Sequence, residues 1–288
     1  MKHKFGNRKD GRRLRTLDPM EALSPYIMKT RTTCQNLIMD KFELDAIEHY
    51  VREKRRAGLL KFGIMHVMLA AYVRMVSQRP AINRFISGQK VFARNQIEII
   101  MTVKEALQDN SASTVIKTVF DPKDTPADIY EKFCQTLTDA FQDGQNDFDS
   151  TAKRLSHIPG LIKKFAFWFL NLLDYFGMIP LSLLRVSPFH GSLCITSMGS
   201  LGTQPIYHHL YDFGNVPVFC AFGAKRKENC LAEDGSVVQK KYMDYTFTTD
   251  ERICDGFYFA ESLKLMKRYL LKPELLDTPP LQVYQDID

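Results

Sequence analysis

Thr248-Thr249-Asp250-Glu251-Arg252-Ile253-Cys254-Asp255-Gly256-Phe257 is the stretch that decides the fold. Tyr242, Tyr245 and Phe247 precede it in an alternating run that reads as a strand. Phe259 to Leu270 follows with apolar residues at helical spacing. Glu251 and Asp255 therefore sit on a tight strand-to-helix corner. Gly256 is expected to let the backbone turn there, and Asp255 to cap the helix.

Working outward, Ser192 to Thr203 holds a second pattern, an alternating strand through Thr196 and Ser197 that runs into a turn with Gly199 and Gly202. Upstream, Leu37–Leu44 reads as a strand and Leu44–Arg55 as an exposed amphipathic helix. Ile64–Val76 reads as a buried helix that stops before Arg79-Pro80. Val91–Arg94 and Ile97–Val103, joined by Asn95-Gln96, read as a β-hairpin. Ser113–Phe120 is a further strand and Pro126–Phe141 a helix. Residues 16–31, with Pro19 and Pro25, read as an extended lead-in. Val216–Ala224 reads as a central strand and Lys225–Gly235 as a charged hairpin turn, with Val237–Thr249 returning to the corner.

The corner resembles the His-x-x-x-Asp-Gly signature of the chloramphenicol acetyltransferase-like superfamily. Within it, the run is similar to the acyltransferase cores of 2-oxoacid dehydrogenase complexes, which read roughly Asp-His-Arg-Val-x-Asp-Gly. Asp250, Arg252, Ile253, Asp255 and Gly256 match, and the departure is Glu251 at the position of the family's catalytic histidine. The second pattern resembles the Thr-Ile-Ser-x-x-Gly-x-x-Gly run of the same cores. The order strand, helix, long helix, Arg-Pro-x-x-Asn-Arg-Phe adds an independent match. So does the ending Lys272-Pro273-Glu274-Leu275-Leu276.

The resemblance implies an α/β two-layer sandwich with a large mixed sheet and helices on one side. It implies a homotrimer with channels at subunit boundaries, where coenzyme A enters one end and an acyl acceptor the other. It puts Thr196, with Ser197 beside it, where a hydroxyl donates to the oxyanion. It gives Arg31 the role of pairing with the motif aspartate, Asp255, and it gives Glu251 the place of the general base. An ordinary Glu carboxyl at about 4.3 is a poor acceptor for a thiol proton at about 8.5, an uphill step of roughly 6 kcal/mol. Burial in an apolar channel would offset most of that, so Glu251 is expected to be partly buried near Thr196. The other reading of Glu251 is a catalytically silent trimeric binding or scaffold relative.

The remaining features leave alternatives open. In Tyr207-His208-His209-Leu210-Tyr211 the histidines are either polar loop or core residues or, if the run is a strand, face opposite ways. That disfavours joint metal binding, and one of the two could supply a base. Gly160 to Leu184 is almost wholly apolar, with Lys163, Lys164, Asn171 and Asp174 on a narrow stripe. As a helix it could pack into the core or a subunit contact, form a pocket lid, or lie on a membrane surface. It is expected to bury Phe165, Trp168, Phe169 and Leu172. Gly177, Pro180 and the charges make it a poor membrane span.

Net charge is +6, and residues 1–15 alone carry seven basic groups against Asp10, so the rest of the chain balances. That arm either meets an anionic partner, such as the phosphates of coenzyme A, or is a solvated or docked terminus. No nucleic-acid motif accompanies it. The six cysteines show no metal or redox spacing and read as reduced thiols. No apolar stretch follows the basic start, so no signal peptide is expected and the setting reads as cytoplasmic. The chain divides into a basic arm (1–19), an acyltransferase-like catalytic domain (20–276) containing the apolar block 158–186, and a tail (277–288) expected to be loose. No lipoyl module is read in the chain, and no metal is expected.

Overall fold

The computed structural model describes residues 6–104, 113–142 and 156–288. A six-stranded mixed sheet carries the architecture, in the order β2 (Gln35–Glu43), β9 (Val237–Asp250), β8 (Val218–Leu231), β7 (Leu193–Ser197), β5 (Ile97–Lys104), β6 (Ser113–Phe120). The strand β7 runs parallel to β5 and β8, and the other neighbours are antiparallel. A smaller sheet orders β1 (Gly11–Arg13), β4 (Lys90–Arg94) and β3 (Arg84–Ser87).

Four helices cover one face of the large sheet: α2 (Asp45–Arg56), α3 (Ile64–Gln78), α4 (Pro126–Gln142) and α7 (Gly256–Leu271). Their apolar sides form one core with Ile195, Cys220, Phe222, Tyr245 and Phe247. The helix α3 is buried from His66 through Ser77, which is why its sequence is apolar all round instead of striped. Strand alternation then sends Cys194, Thr196, Phe219, Ala221, Thr246 and Thr248 to the other face. The large mixed sheet with helices on one side is as expected.

That second face is covered by irregular chain and by the apolar block. Thr246 Oγ1 donates to the Ile206 carbonyl at 2.6 Å, which ties residues 203–217 across the centre of the sheet. The block itself forms α5 (Gly160–Tyr175) and α6 (Leu181–Val186). It is held by charge. Arg8 donates to Asp10 Oδ1 at 2.8 Å, Asp174 Oδ1 at 2.8 Å, and Ser87 Oγ and the Asp174 carbonyl at 2.6 Å each. His190 Nε2 lies 3.5 Å from Asp174 Oδ1, and its Nδ1 is 2.7 Å from Ser187 Oγ. Burial alone would raise the Asp174 pKa, but His190 and Arg8 outweigh it and hold the carboxyl at about 2. Gly214 has φ +85°, and a Cβ there would come within 2.0 Å of the Phe189 carbonyl oxygen, so a glycine is required where these segments cross.

Several expectations are corrected. Residues 19–27 form a helix, α1 (Pro19–Ile27), because Asp18 accepts from the Met20 N–H as N-cap and Pro19 occupies the first turn. The predicted hairpin 91–103 is not one: β4 and β5 belong to different sheets. The charged hairpin turn is shorter, since β8 continues to Leu231. Phe165, Trp168, Phe169 and Leu172 are on a helix as expected, but they face outward at 62%, 57%, 45% and 38% exposure. Of the polar stripe, only Asp174 docks, buried against Arg8, while Lys164 and Asn171 are exposed. The tail is not loose. Arg84 holds Asp286 with two bonds of 2.8 Å, Tyr284 N–H donates to the Ser77 carbonyl, and Arg15 and Thr16 N–H donate to the Asp288 carbonyl. Of the described residues of the basic arm, Arg8 is buried and Arg12 bonds to the tail, so that part of it is docked.

Candidate active site

The corner forms as the sequence predicts, but its contacts differ. Asp250 ends β9 and is 1% exposed. Arg252 donates to its Oδ1 at 2.8 Å and its Oδ2 at 2.7 Å, and Arg31 Nε stands 3.6 Å from Oδ2. Arg31 also donates to the carbonyls of Tyr211 and Gly214, both at 2.6 Å. The partner of Arg31 is thus Asp250, not Asp255. Asp255 instead caps α7, its Oδ1 accepting from the Tyr258 N–H at 2.6 Å. Gly256 is the first helical residue, and a Cβ there meets nothing within 4 Å, so the turn does not depend on a glycine.

Glu251 is the second correction. It opens a single 3-10 turn, Glu251–Ile253, and is exposed in the single chain. It is not near Thr196 either. Thr196 pairs with Ala221, which pairs with Thr246. Glu251 lies five residues further along that strand line, roughly 16 Å away in the strand direction at about 3.3 Å per residue. The two predicted catalytic positions are therefore brought to opposite ends of the sheet within one chain.

At the other end, β7 delivers Thr196 to the outer face and Ser197 to the helix side. The turn that follows is a 3-10 turn, Gly199–Leu201, closed by Gly202 in the left-handed conformation. Ser197 and Gly199 open onto a cavity of about 600 Å³. Arg52, Arg55, Lys61 and Lys225 line it as well. Sequence reading missed this basic pocket. Its one local signal is the run of cations that ends α2.

The histidines are not in a strand. Residues 204–217 form irregular chain, and the two imidazoles stack on each other with centroids 4.7 Å apart. His208 also stacks on Phe219 at 3.8 Å and 4°, and its Nδ1 is 2.7 Å from the His209 carbonyl oxygen. Burial lowers its pKa, against the bond to the His209 carbonyl, which raises it. The cysteines are all unpaired. Burial pushes the thiols of Cys34, Cys194 and Cys254 up to about 12, so none of these three is a ready nucleophile. Among the described residues no group of three His, Cys, Asp or Glu side chains could hold a metal.

Residues 184–277 match the sequence model described as "2-oxoacid dehydrogenases acyltransferase (catalytic domain)", a span that holds both the β7 turn and the corner. The whole fold matches solved acyltransferases. The fold is chloramphenicol acetyltransferase-like. A chloramphenicol acetyltransferase is 12% identical and superposes with a TM-score of 0.51 over 89% of this chain and 99% of its own. The cubic core of a pyruvate dehydrogenase multienzyme complex is 11% identical, with a TM-score of 0.58 over 89% of this chain and 88% of its own. Dihydrolipoamide acetyltransferase of Azotobacter vinelandii is 10% identical, with a TM-score of 0.57 over the same shares. Its structure was solved to examine the role of a serine, a histidine and an asparagine in its catalytic mechanism. No curated protein matches the chain by sequence. At these identities the acyltransferase-like architecture is shared, while the chemistry must be argued from this chain's own residues.

Proposed function

We propose that the protein is an acyltransferase that moves an acyl group between coenzyme A, or another thioester, and an acceptor nucleophile. The observation that carries this reading is the match over residues 184–277, which includes a hydroxyl at Thr196 on an acyltransferase-like fold. In this reading the Thr196 hydroxyl donates to the oxyanion that forms when the acceptor adds to the thioester carbonyl. Arg52, Arg55, Lys61 and Lys225 suit the phosphates of coenzyme A, which a cluster of fixed cations attracts. The second reading, a silent binding or scaffold relative, is favoured by one observation, the exposed carboxylate at Glu251.

The test is direct. The full chain is titrated with acetyl-coenzyme A and assayed for release of free coenzyme A with thiol, amine and hydroxyl acceptors. Saturable binding with acceptor-dependent release is the expected result. Binding without release to any acceptor selects the silent relative, and absence of both refutes either role for coenzyme A.

The assembly in this reading is a homotrimer, with the outward face of α5 at a subunit contact. Leu161, Ile162, Phe165, Trp168, Phe169 and Leu172 make a contiguous apolar surface on that helix. A face of this size is unusual on an isolated chain. In a free chain Trp168→Asp would change stability by no more than about 0.5 kcal/mol, because the side chain is already in solvent. We expect it instead to dissociate the assembly, read by light scattering as a fall from three chains to one. A variant that stays trimeric but no longer binds liposomes would transfer α5 to a membrane surface. No described helix is long and apolar enough to cross a membrane.

A further inference from the structure

Glu251 is exposed and far from Thr196 within one chain, so a second proton acceptor closer to Thr196 is of interest if the acyl-transfer reading holds, on which this inference rests. The outer face of the sheet offers one. A carbonyl oxygen only accepts, so the 2.7 Å contact between His208 Nδ1 and the His209 carbonyl fixes the proton on Nδ1. The neutral ring then carries its lone pair on Nε2, the form a general base requires. Stacking on Phe219 at 3.8 Å and 4° holds the ring flat against β8. The ring is only partly buried, so it is reachable.

Its position relative to Thr196 is equally specific. Phe219 pairs with Cys194, and Thr196 is two residues further along β7 on the same face. One inter-strand step of about 4.8 Å and two residues of about 3.3 Å put these backbone positions roughly 8 Å apart. That span fits a chain of base, nucleophile, carbonyl and oxyanion donor. Glu251, by the same geometry, is at the far end of the sheet. We propose that His208 is the general base of acyl transfer in this protein, working with Thr196 on the outer face of a single chain.

The step balances without any further reactant. The acceptor's lone pair adds to the thioester carbonyl carbon as His208 Nε2 takes the acceptor's proton. The carbonyl π pair moves to oxygen, where Thr196 donates. Collapse reforms the carbonyl and breaks the carbon–sulfur bond, and the leaving thiolate takes the proton back from the imidazolium.

The groups described against His208 are His209 and Tyr211, whose ring centroid is 5.7 Å away, with the apolar Phe219 beneath. Burial lowers the His208 pKa and outweighs the bond to the His209 carbonyl, which favours the charged ring, so the neutral base is favoured. The sign follows. Activity requires the neutral ring, so it is present above that pKa and lost as pH falls through it.

The experiment compares His208→Gln, His209→Gln and Glu251→Gln in the full chain, with acetyl-coenzyme A and the best acceptor of the panel. His208→Gln should lower kcat by about 10²–10⁴-fold with KM for acetyl-coenzyme A nearly unchanged, and should abolish the acid limb of the pH profile. His209→Gln and Glu251→Gln should stay within about threefold of the native rate. Carbethoxylation of the native protein by diethyl pyrocarbonate, mapped by peptide mass, should mark His208 at a rate that rises as pH passes through a value below 6.5. His208→Gln with a native rate and pH profile overturns the assignment while leaving acyl transfer intact, as does modification that spares His208. A native protein that binds acetyl-coenzyme A but transfers nothing overturns both.

Discussion

Asp250→Ala should destabilise the folded chain by about 3–5 kcal/mol, the range for stripping one partner from a buried ion group. Asp250 is 1% exposed and sits between two buried cations. Removing it leaves the Arg252 guanidinium without its two bonds of 2.8 and 2.7 Å, and Arg31 without its carboxylate at 3.6 Å. Arg252 keeps a carbonyl partner in Met28 and Arg31 keeps those of Tyr211 and Gly214, but the carboxylates left near them, Asp212 for both and Asp174 for Arg31, form no ion pair with either. The loss is read as the midpoint of urea unfolding. Asp250→Asn should cost less, since an amide still accepts from Arg252. A loss under about 1 kcal/mol for Asp250→Ala would mean that solvent reaches these guanidinium groups. Because Arg31 ties residues 211–214 to the corner, the damage should also spread to the segment that carries His208 and His209.

Thr196→Val should lower kcat by about 10²–10³-fold, the cost of losing one oxyanion donor. Valine keeps the branched shape and removes only the hydroxyl. In the proposed reading that hydroxyl acts only as negative charge develops on the carbonyl oxygen, so KM for acetyl-coenzyme A should hardly move. Thr196→Ser should keep most of the rate. Ser197 faces the helix side and the basic cavity, so Ser197→Ala should act on coenzyme A affinity before it acts on kcat. A Thr196→Val protein with unchanged kcat would move the oxyanion donor to Ser197 or to a backbone N–H.

The parts of this fold that the sequence makes legible are those encoded by local periodicity and by residues at fixed offsets. The helices over Asp45–Arg56 and Ile64–Gln78, the strand through Thr196 and the corner after Asp250 all belong to that class. The parts that are not legible depend on distant partners. Nothing local to Val91–Val103 says that β4 and β5 join different sheets. Pro25 argues against a helix locally, yet Asp18 and Pro19 start one. The apolar stripe of α5 predicts a helix correctly, but the inward side is decided by Arg8 pairing with Asp174. The same holds at the site. The substitution at Glu251 can be read from the motif, whereas its exposure cannot. The tautomer of His208 depends on the His209 carbonyl in an irregular segment whose dihedrals no pattern announces.

The bond between Arg8 and Asp174 joins residues 166 positions apart in the chain. A segment near the start of the chain thus clasps a helix that begins past its midpoint. Local opening of the native state follows such cooperative ties more than sequence distance. The arm and the apolar block accordingly form one unit of local unfolding, whose amides should exchange together when the rest of the sheet is still closed. Fraying of the segment around Arg8 would then detach the aromatic helix from the body of the chain, linking the integrity of residues 8–13 to the protein's tendency to self-associate.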